Sequence, residues 1–231
     1  MEETRNCQNC KKDFTIEPDD FGFYEKMNVP APTWCPECRM VRRLVWRNER
    51  NLFRRKDAHT GKDSFSGIPV EAPIQTYETS FWYGDEWDAL DYGVDYDFSV
   101  PFFKQFQDLF HRVPIMAKSS AGFMINSDYC NEAGRLKNAY LCCDADFIED
   151  SAYLVKVTNV KNSFDSHELV DDELCYECVM VYKSYQTFFS LDCENCVDVW
   201  FSKGLRGCTN CFGCVNLRGK SYYFFNEELS P

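Results

Sequence analysis

A short motif that recurs about every 12 residues through the C-terminal half is the feature that most limits how this chain can fold. Each copy joins a polar residue, a small residue and usually an aromatic residue, as in Asn138-Ala139-Tyr140 and Asn162-Ser163-Phe164. Further copies lie at 126–127, 151–153, 174–176, 183–185, 195–197, 207–209 and 220–222. A unit of this length is too short for two helices but fits a strand and a turn. The repeat therefore predicts a parallel β-solenoid.

The repeat leaves the size of one coil open. Two units would form a coil of about 24 residues, and one unit alone would form a narrow coil of about 12. The large aromatic side chains favour the wider coil, because it has interior room for them.

The predicted fold is mainly β. A treble-clef or zinc-ribbon-like module at 1–60 is followed by an aromatic, acidic connector with a capping helix at 61–115. The solenoid domain follows at 116–231.

Four cysteines near the N-terminus have the spacing of a metal site. Cys7 and Cys10 form one CxxC pair, and Cys35 and Cys38 form a second pair after 24 intervening residues. Each pair presents two thiolates to one tetrahedral ion, and two pairs complete a closed site. Since a closed site has no position for water or substrate, the spacing predicts a structural zinc ion.

The ten other cysteines are interpreted through the repeat. Several have spacings typical of metal or iron–sulfur sites: Cys175/Cys178, Cys193/Cys196 and Cys208/Cys211/Cys214. In an extended strand, however, residues i and i+3 point to opposite faces. Three of these cysteines also occupy the small position of the motif, which favours a packing role. The glycines at 207 and 213 could turn the chain, so a second metal site at Cys208, Cys211 and Cys214 stays open.

Charge is distributed unevenly along the chain. The net charge is −12, yet residues 39–56 hold eight basic residues and one acid, a local +7 that leaves −19 on the remainder. No proline or glycine interrupts this stretch, which predicts a helix that begins near Pro36. On that helix one face carries Arg39, Arg42, Arg43, Arg47, Arg50 and Arg54, with Trp46 beside them. The opposite face carries Val41, Leu44, Val45 and Leu52, which are predicted to pack on the module's core.

Arginines flanked by aromatics can clamp phosphates and stack on bases. These residues are therefore the predicted nucleic-acid surface, with structured RNA as one candidate ligand. The alternative is that they pair with the acidic remainder of the same molecule, because charged helix faces are usually solvated or paired internally.

The segment 77–97 mixes aromatic residues with carboxylates. One interpretation is a carbohydrate-active cleft that uses two carboxylates from 85–97, and the favoured alternative is an irregular packed segment. The three histidines belong to no nucleophile or HExxH motif.

Downstream of this segment, Ser99 is a candidate N-cap for a helix at 100–112, which Pro114 ends. Its predicted buried stripe is Phe102, Phe106, Leu109 and Phe110.

Several segments resemble a known family. They are 35–44 (CPECRMVRRL), 47–50 (RNER), 91–103 (DYGVDYDFSVPFF), 174–178 (LCYEC) and 207–217 (GCTNCFGCVNL). Together they resemble uncharacterised bacterial proteins, common in metagenomic sequence, that carry an N-terminal zinc-ribbon-like motif and a C-terminal repeat rich in cysteine and aromatics. The resemblance covers nearly the whole chain. It implies zinc and no established activity, and no motif here supports the CoA-transferase label that some members carry.

The sequence thus predicts a zinc-binding, non-catalytic adaptor that contacts nucleic acid. The alternatives are a protein-interaction or assembly module built on the solenoid, and a carbohydrate-active enzyme.

No apolar run is long enough to span a bilayer, and the N-terminus lacks a secretory signal. We therefore expect no membrane partner and a cytoplasmic location, where 14 cysteines stay reduced or bind metal.

Overall fold

A computed structural model describes residues 2–229 and divides the chain into two compact units, Met1–Asn48 and Glu49–Pro231. The first unit contains β1 (Glu3–Asn6), β2 (Asp13–Ile16), α1 (Pro18–Lys26) and α2 (Pro36–Leu44). Strands β1 and β2 form an antiparallel hairpin in which Glu3 pairs with Ile16. Helix α2 begins directly after Cys35, its N-cap.

Two predictions for this unit were wrong. The aromatic segment 21–24 (FGFY), which by sequence alone predicts a short strand, lies in α1. The reason is that Pro18 opens a helical turn and the backbone N–H of Glu17 donates to the Asp20 carboxylate. The helix expected across 39–56 ends at Leu44. Residues Phe53–Lys56 form a strand instead, since they pair with a second strand beyond the turn.

The apolar side of α2 does not pack as predicted. Met40, Val41, Leu44 and Val45 are each at least half exposed. Among the described apolar residues of this unit, only Cys7, Ile16 and Cys35 are buried. So small a core cannot hold a unit of this size together by itself, which leaves the cysteine cluster as its main anchor.

The second unit opens with short elements. They are β3 (Phe53–Lys56), β4 (Asp63–Ser66), β5 (Thr76–Tyr77), α3 (Thr79–Trp82), a 3-10 turn (Ala89–Tyr92), α4 (Phe102–Arg112) and β6 (Ile115–Met116). Strands β3 and β4 form an antiparallel hairpin, and β5 pairs with β6 in parallel.

Helix α4 begins two residues later than predicted, and Pro101 rather than Ser99 is its N-cap. Its phenylalanine stripe was expected to be buried, but Phe102 and Phe106 are more than half exposed. The prediction that this stripe is buried was therefore wrong, because no residue of α4 is buried. The chain entering the solenoid is held instead by Ser66 and Gly67, which both donate hydrogen bonds to the Ala117 carbonyl.

The parallel β-solenoid predicted from the repeat is confirmed and occupies about 120–224. Its strands are β7 (Ser120–Ile125), β8 (Asn131–Tyr140), β9 (Cys143–Lys161), β10 (Phe164–Tyr176), β11 (Val179–Tyr182), β12 (Tyr185–Phe188), β13 (Leu191–Glu194), β14 (Val197–Trp200), β15 (Thr209–Phe212) and β16 (Ser221–Phe224). The antiparallel strand β17 (Glu227–Glu228) closes the C-terminal end.

One coil of the solenoid contains 12 residues. From Met124 onward, parallel residue pairs in register differ by 12 along the chain, as in Ala133 with Ala145, Cys175 with Thr187 and Val199 with Cys211. The two-unit coil favoured from the sequence was therefore wrong, and one motif forms one complete coil. The reason is that the aromatic side chains lie outside, whereas small and aliphatic side chains fill the interior.

The narrow coil depends on a backbone pattern with a period of three residues. Every third residue has a positive φ, as at Lys156, Asn159 and Asn162. Each such residue bends the chain, so a 12-residue coil has four corners and four short sides. The same period places every third side chain inside, as at Leu154, Val157 and Val160.

Inward-facing serines join successive coils with a repeated pair of hydrogen bonds. Ser151 Oγ accepts from the backbone N of Ser163 at 3.1 Å and donates to the Glu149 carbonyl at 2.8 Å. Ser163 in turn accepts from the backbone N of Cys175 at 3.0 Å. These hydroxyls satisfy backbone groups that would otherwise be unpaired inside the coil. The small position of the motif is therefore a structural requirement of the fold.

Candidate metal centre

The four N-terminal cysteines converge, as their spacing predicts. The Sγ atoms of Cys7, Cys10, Cys35 and Cys38 all lie within 4.8 Å of one another. The first pair lies in the turn between β1 and β2, and the second pair brackets the first turn of α2. Left-handed Lys11, with φ of 64°, lets the turn close directly after the first pair.

Backbone and side-chain N–H groups point at the sulfur atoms. The backbone N of Cys35 donates to Cys7 Sγ at 3.2 Å, and Asn9 Nδ2 donates to Cys38 Sγ at 3.3 Å. Hydrogen bonds of this kind stabilise the thiolate form, which is the form that binds metal. The contact from Asn9 could not be found from the cysteine spacing, since it depends on how the turn faces the helix.

The Cys7 thiol has the electrostatics of a metal ligand. Burial raises its pKa, but hydrogen bonds from backbone N–H groups, chiefly that of Cys35, outweigh burial and lower the pKa to about 6. At neutral pH this sulfur is therefore mainly a thiolate before any cation is considered.

The geometry fits a tetrahedral ion. Thiolates about 2.3 Å from zinc are roughly 3.8 Å apart in a tetrahedron, and Cys10 Sγ lies 3.8 Å from Cys35 Sγ. Four soft sulfur donors favour zinc over hard cations such as magnesium. The four thiolates fill every position of a tetrahedral shell, so the site can hold the hairpin against the helix but offers no place for a substrate.

The remaining cysteines have a different environment. Among residues 2–229, no other group of three or more His, Cys, Asp or Glu side chains gathers its ligand atoms within 4.8 Å. Cys208, Cys211 and Cys214 are buried, and each thiol contacts the carbonyl oxygen two residues earlier at 3.4–3.6 Å. They occupy inward positions that serines occupy in other coils.

One step of the sequence argument about these cysteines was wrong. Residues i and i+3 do not point to opposite faces here, because the left-handed residue between them turns the chain. Cys175 and Cys178 are therefore both inside the coil. Their contacts with carbonyls of the same coil nevertheless agree with a packing role.

The six predicted arginines do not share one helical face. Arg39, Arg42 and Arg43 lie on α2, and Arg47 and Arg50 lie in the connection that follows. Arg54 lies on β3, with its guanidinium 5.8 Å from the centre of the Phe65 ring.

Two arginines of α2 contact aromatic side chains of the first unit, and a tryptophan beyond the helix is exposed. Arg42 lies over the Trp34 ring at 5.0 Å, and Arg39 donates to the Tyr24 hydroxyl at 3.3 Å. Trp46 is 77% exposed. Within the described residues, neither Arg42 nor Arg43 forms a salt bridge with a carboxylate.

The carboxylates of 85–97 are exposed, and two of them have local structural roles. Asp88 caps the 3-10 turn by accepting from the backbone N of Leu90, and Asp97 accepts from the backbone N and hydroxyl of Ser99. His59 stacks on Phe81 with ring centroids 3.7 Å apart. These contacts agree with the packed, irregular segment favoured from the sequence.

Comparison with known proteins finds no family model and no curated protein that matches this chain. No helix in the described part of the chain is both long and apolar enough to cross a membrane. The four-cysteine cluster is therefore the feature on which a functional proposal must rest.

Proposed function

We propose that this protein is a zinc-binding, non-catalytic adaptor that uses the first unit to contact nucleic acid. The four converging thiolates support a structural zinc ion, because they complete its shell and the unit has almost no other core. Reduced thiols suit a cytoplasmic location, and all 14 cysteines are free.

The observation that carries nucleic-acid contact is the pairing of exposed arginines with aromatic rings on a metal-anchored helix. The N-cap of α2 is a metal ligand, so the ion would fix the helix that presents Arg42 and Arg43. Their guanidinium groups are available for phosphates, and the indole of Trp46 offers a stacking surface. RNA with unpaired bases suits this combination, since it offers both charge and exposed base faces.

The test is a salt series of binding measurements. Fluorescence anisotropy would follow the zinc-loaded protein with a labelled stem-loop RNA and with duplex DNA from about 50 to 200 mM salt. We expect affinity to fall as salt rises, and Arg42→Ala and Arg43→Ala each to reduce the slope of log K against log salt by about one. Arg112→Ala, an exposed arginine on α4, is the matched control and is expected to leave the slope unchanged.

Two results would overturn this proposal. One is an absence of binding at low salt by protein shown to contain zinc. The other is an equal loss with Arg112→Ala, which would indicate attraction by general charge rather than contact by this surface.

A protein-binding role for the solenoid is the second candidate, and an outward ladder of aromatic rings favours it. The ladder consists of Tyr129, Tyr140, Tyr153, Phe164, Tyr176, Phe189, Phe201, Phe212 and Phe224, each 38–52% exposed. Successive rings from Tyr176 onward lie 4.8–5.5 Å apart. A partner whose binding is lost with Phe189→Ser and Phe201→Ser, yet survives nuclease and Arg43→Ala, would favour this role. The carbohydrate-active alternative stays a prediction.

A further inference from the structure

The two β-hairpins at the start of the two units have the same register. In the first hairpin Glu3 pairs with Ile16 and Asn6 with Asp13. In the second hairpin the partners are Phe53 with Ser66 and Lys56 with Asp63. Every position is therefore displaced by 50 residues, and the turn has the same length in both.

The two turns also share their backbone hydrogen bonds. The N of Cys7 donates to the Lys12 carbonyl at 2.9 Å, and the N of Lys11 donates to the Cys7 carbonyl at 3.0 Å. In the second turn the N of Asp57 donates to the Lys62 carbonyl at 2.9 Å, and the N of Gly61 donates to the Asp57 carbonyl at 2.8 Å. Lys11 and Gly61 are both left-handed, with φ of 64° and 70°. The second turn thus has the backbone of a metal-binding knuckle.

The correspondence continues beyond the hairpins, where the chain returns to each turn. The N of Gln8 donates to the Thr33 carbonyl at 3.0 Å, and the N of Ala58 donates to the Thr76 carbonyl at 2.9 Å. The N-cap of a helix lies two residues after each threonine, and it is Cys35 for α2 and Glu78 for α3.

An arginine at the same strand position braces the returning loop in both places. Arg5 donates to the carbonyls of Ala31 and Pro32, and Arg55 donates to the carbonyls of Pro69, Ala72 and Ile74. The two units therefore correspond in five features: the hairpin, the turn, the returning segment, the start of the helix and the arginine that braces the loop. A chance hairpin followed by an unrelated loop would reproduce the first of these features but not the rest.

The positions equivalent to the four metal ligands hold no cysteine. Cys7, Cys10, Cys35 and Cys38 correspond to Asp57, Thr60, Glu78 and Phe81.

The Asp57 carboxylate lies where sulfur and metal would lie, and it bonds to both sides of the site. Its Oδ2 accepts from the backbone N and hydroxyl of Thr60 at 2.7 and 2.6 Å, and its Oδ1 accepts from the backbone N of Glu78 at 2.9 Å. The last bond repeats the one from the N of Cys35 to Cys7 Sγ.

From these correspondences we infer that residues 53–82 are a second, metal-free copy of the zinc module, in which the Asp57 carboxylate replaces the ion as the link between turn and helix. A four-thiolate site needs a cation because the negatively charged sulfur atoms repel one another without it. One buried carboxylate with donors on both sides needs none. The second module therefore stays folded when zinc is absent.

The burial and the ionisation of the Asp57 side chain agree with this role. Its side chain is buried, with the residue 2% exposed. Burial raises its pKa, but the hydrogen bonds from Thr60 and Glu78 outweigh burial and hold the pKa below the ordinary value of an aspartate. The carboxylate is thus ionised at neutral pH, as an acceptor of three hydrogen bonds must be.

The decisive experiment restores the ligands. The variant Asp57→Cys/Thr60→Cys/Glu78→Cys/Phe81→Cys in the full chain is expected to bind two zinc ions per chain, against one for the unchanged protein. Cobalt(II) titration would show twice the thiolate charge-transfer absorbance. The same four changes combined with Cys7→Ser and Cys10→Ser are expected to bind one ion, now held at the second site.

A folded variant, judged by circular dichroism, that still binds a single ion would overturn the inference. The matched control carries the same changes except Phe81→Cys. It lacks the fourth thiolate and is expected to show a weaker second site that loses its ion to a chelator first.

A measurement on the unchanged protein keeps the inference testable if the variant does not fold. Hydrogen exchange would be followed at single amides before and after chelation of the zinc. The amides of Lys11 and Cys35 are expected to lose protection by at least tenfold, whereas those of Gly61 and Glu78 keep theirs. An equal loss of protection at both pairs of amides would show that the Asp57 carboxylate does not replace the ion as the link between turn and helix.

Discussion

Replacing Asp172 by serine is expected to stabilise the solenoid at pH 8 and to have little effect near pH 4. Asp172 is 3% exposed and faces the interior of its coil. Its Oδ1 accepts from the backbone N of Ser184 at 2.7 Å, and its Oδ2 accepts from the backbone N of Val170 at 2.9 Å. Burial raises its pKa from about 3.8 to about 7, although these two hydrogen bonds oppose the rise.

The direction of the pH effect follows from proton binding. Between about pH 4 and pH 7 the folded protein holds a proton on Asp172 that the unfolded chain, with an ordinary aspartate pKa, has released. Stability therefore falls as pH rises through this range and is constant above it. A pKa difference of about three units corresponds to about 4 kcal/mol in total, of which about 3 kcal/mol is lost between pH 5 and pH 8.

Serine suits this position because serines at other inward positions make the matching contacts. A hydroxyl there can accept from the N of Ser184 and donate to the Val170 carbonyl, as Ser163 does with its own neighbours. The assay is urea unfolding followed by far-ultraviolet circular dichroism at pH 5 and pH 8. Comparison of the two proteins at each pH cancels the other titrating groups.

The control is Asp165→Asn, which removes an exposed carboxylate from the same strand. It is expected to leave the pH dependence unchanged. The reasoning is refuted if Asp172→Ser changes stability equally at both pH values, or if it destabilises the protein more at pH 8 than at pH 5.

Three further changes test the metal centre and the solenoid. Cys7→Ser is expected to reduce zinc content from one ion per chain to nearly none by metal analysis; a full complement of tightly held zinc would contradict the four-thiolate site. Ser163→Ala leaves the backbone N of Cys175 without its acceptor and is expected to cost about 1–3 kcal/mol in urea unfolding. Gly134→Ala places a Cβ 2.8 Å from the Ala121 carbonyl oxygen and is expected to lower the free energy of unfolding by about 1–3 kcal/mol. An unchanged midpoint of urea unfolding would count against the close packing of these two coils.

The sequence was most informative where residue type and geometry are tightly coupled. The two CxxC pairs predict the metal centre because few other arrangements use that spacing. The polar–small–aromatic motif predicts a solenoid because the small position must face a crowded interior. Coil size was not predictable in the same way. It depends on left-handed backbone at residues such as Phe147 and Tyr153, which are not types that ordinarily adopt that conformation.

Other features depend on partners distant in sequence. The helix expected across 39–56 failed because Phe53–Lys56 finds a strand partner in Asp63–Ser66, and pairing overrides local helical preference. The likeness between 3–16 and 53–66 could not be read from residue types, since only three of the 14 aligned positions are identical (Arg5/Arg55, Lys12/Lys62 and Asp13/Asp63). The likeness of the two segments is visible in their backbone hydrogen bonds instead.

The three-residue side of each coil also determines how the solenoid can change in length. An insertion of 12 residues adds one whole coil and leaves every inward side chain in its column, as the constant offset between paired residues shows. An insertion of one or two residues turns the following aromatics inward and the serines outward. Since each coil contacts mainly its two neighbours, whole coils can be gained or lost while the rest of the stack keeps its contacts. Length in this domain is therefore counted in complete turns, and relatives of this chain would differ there by multiples of 12.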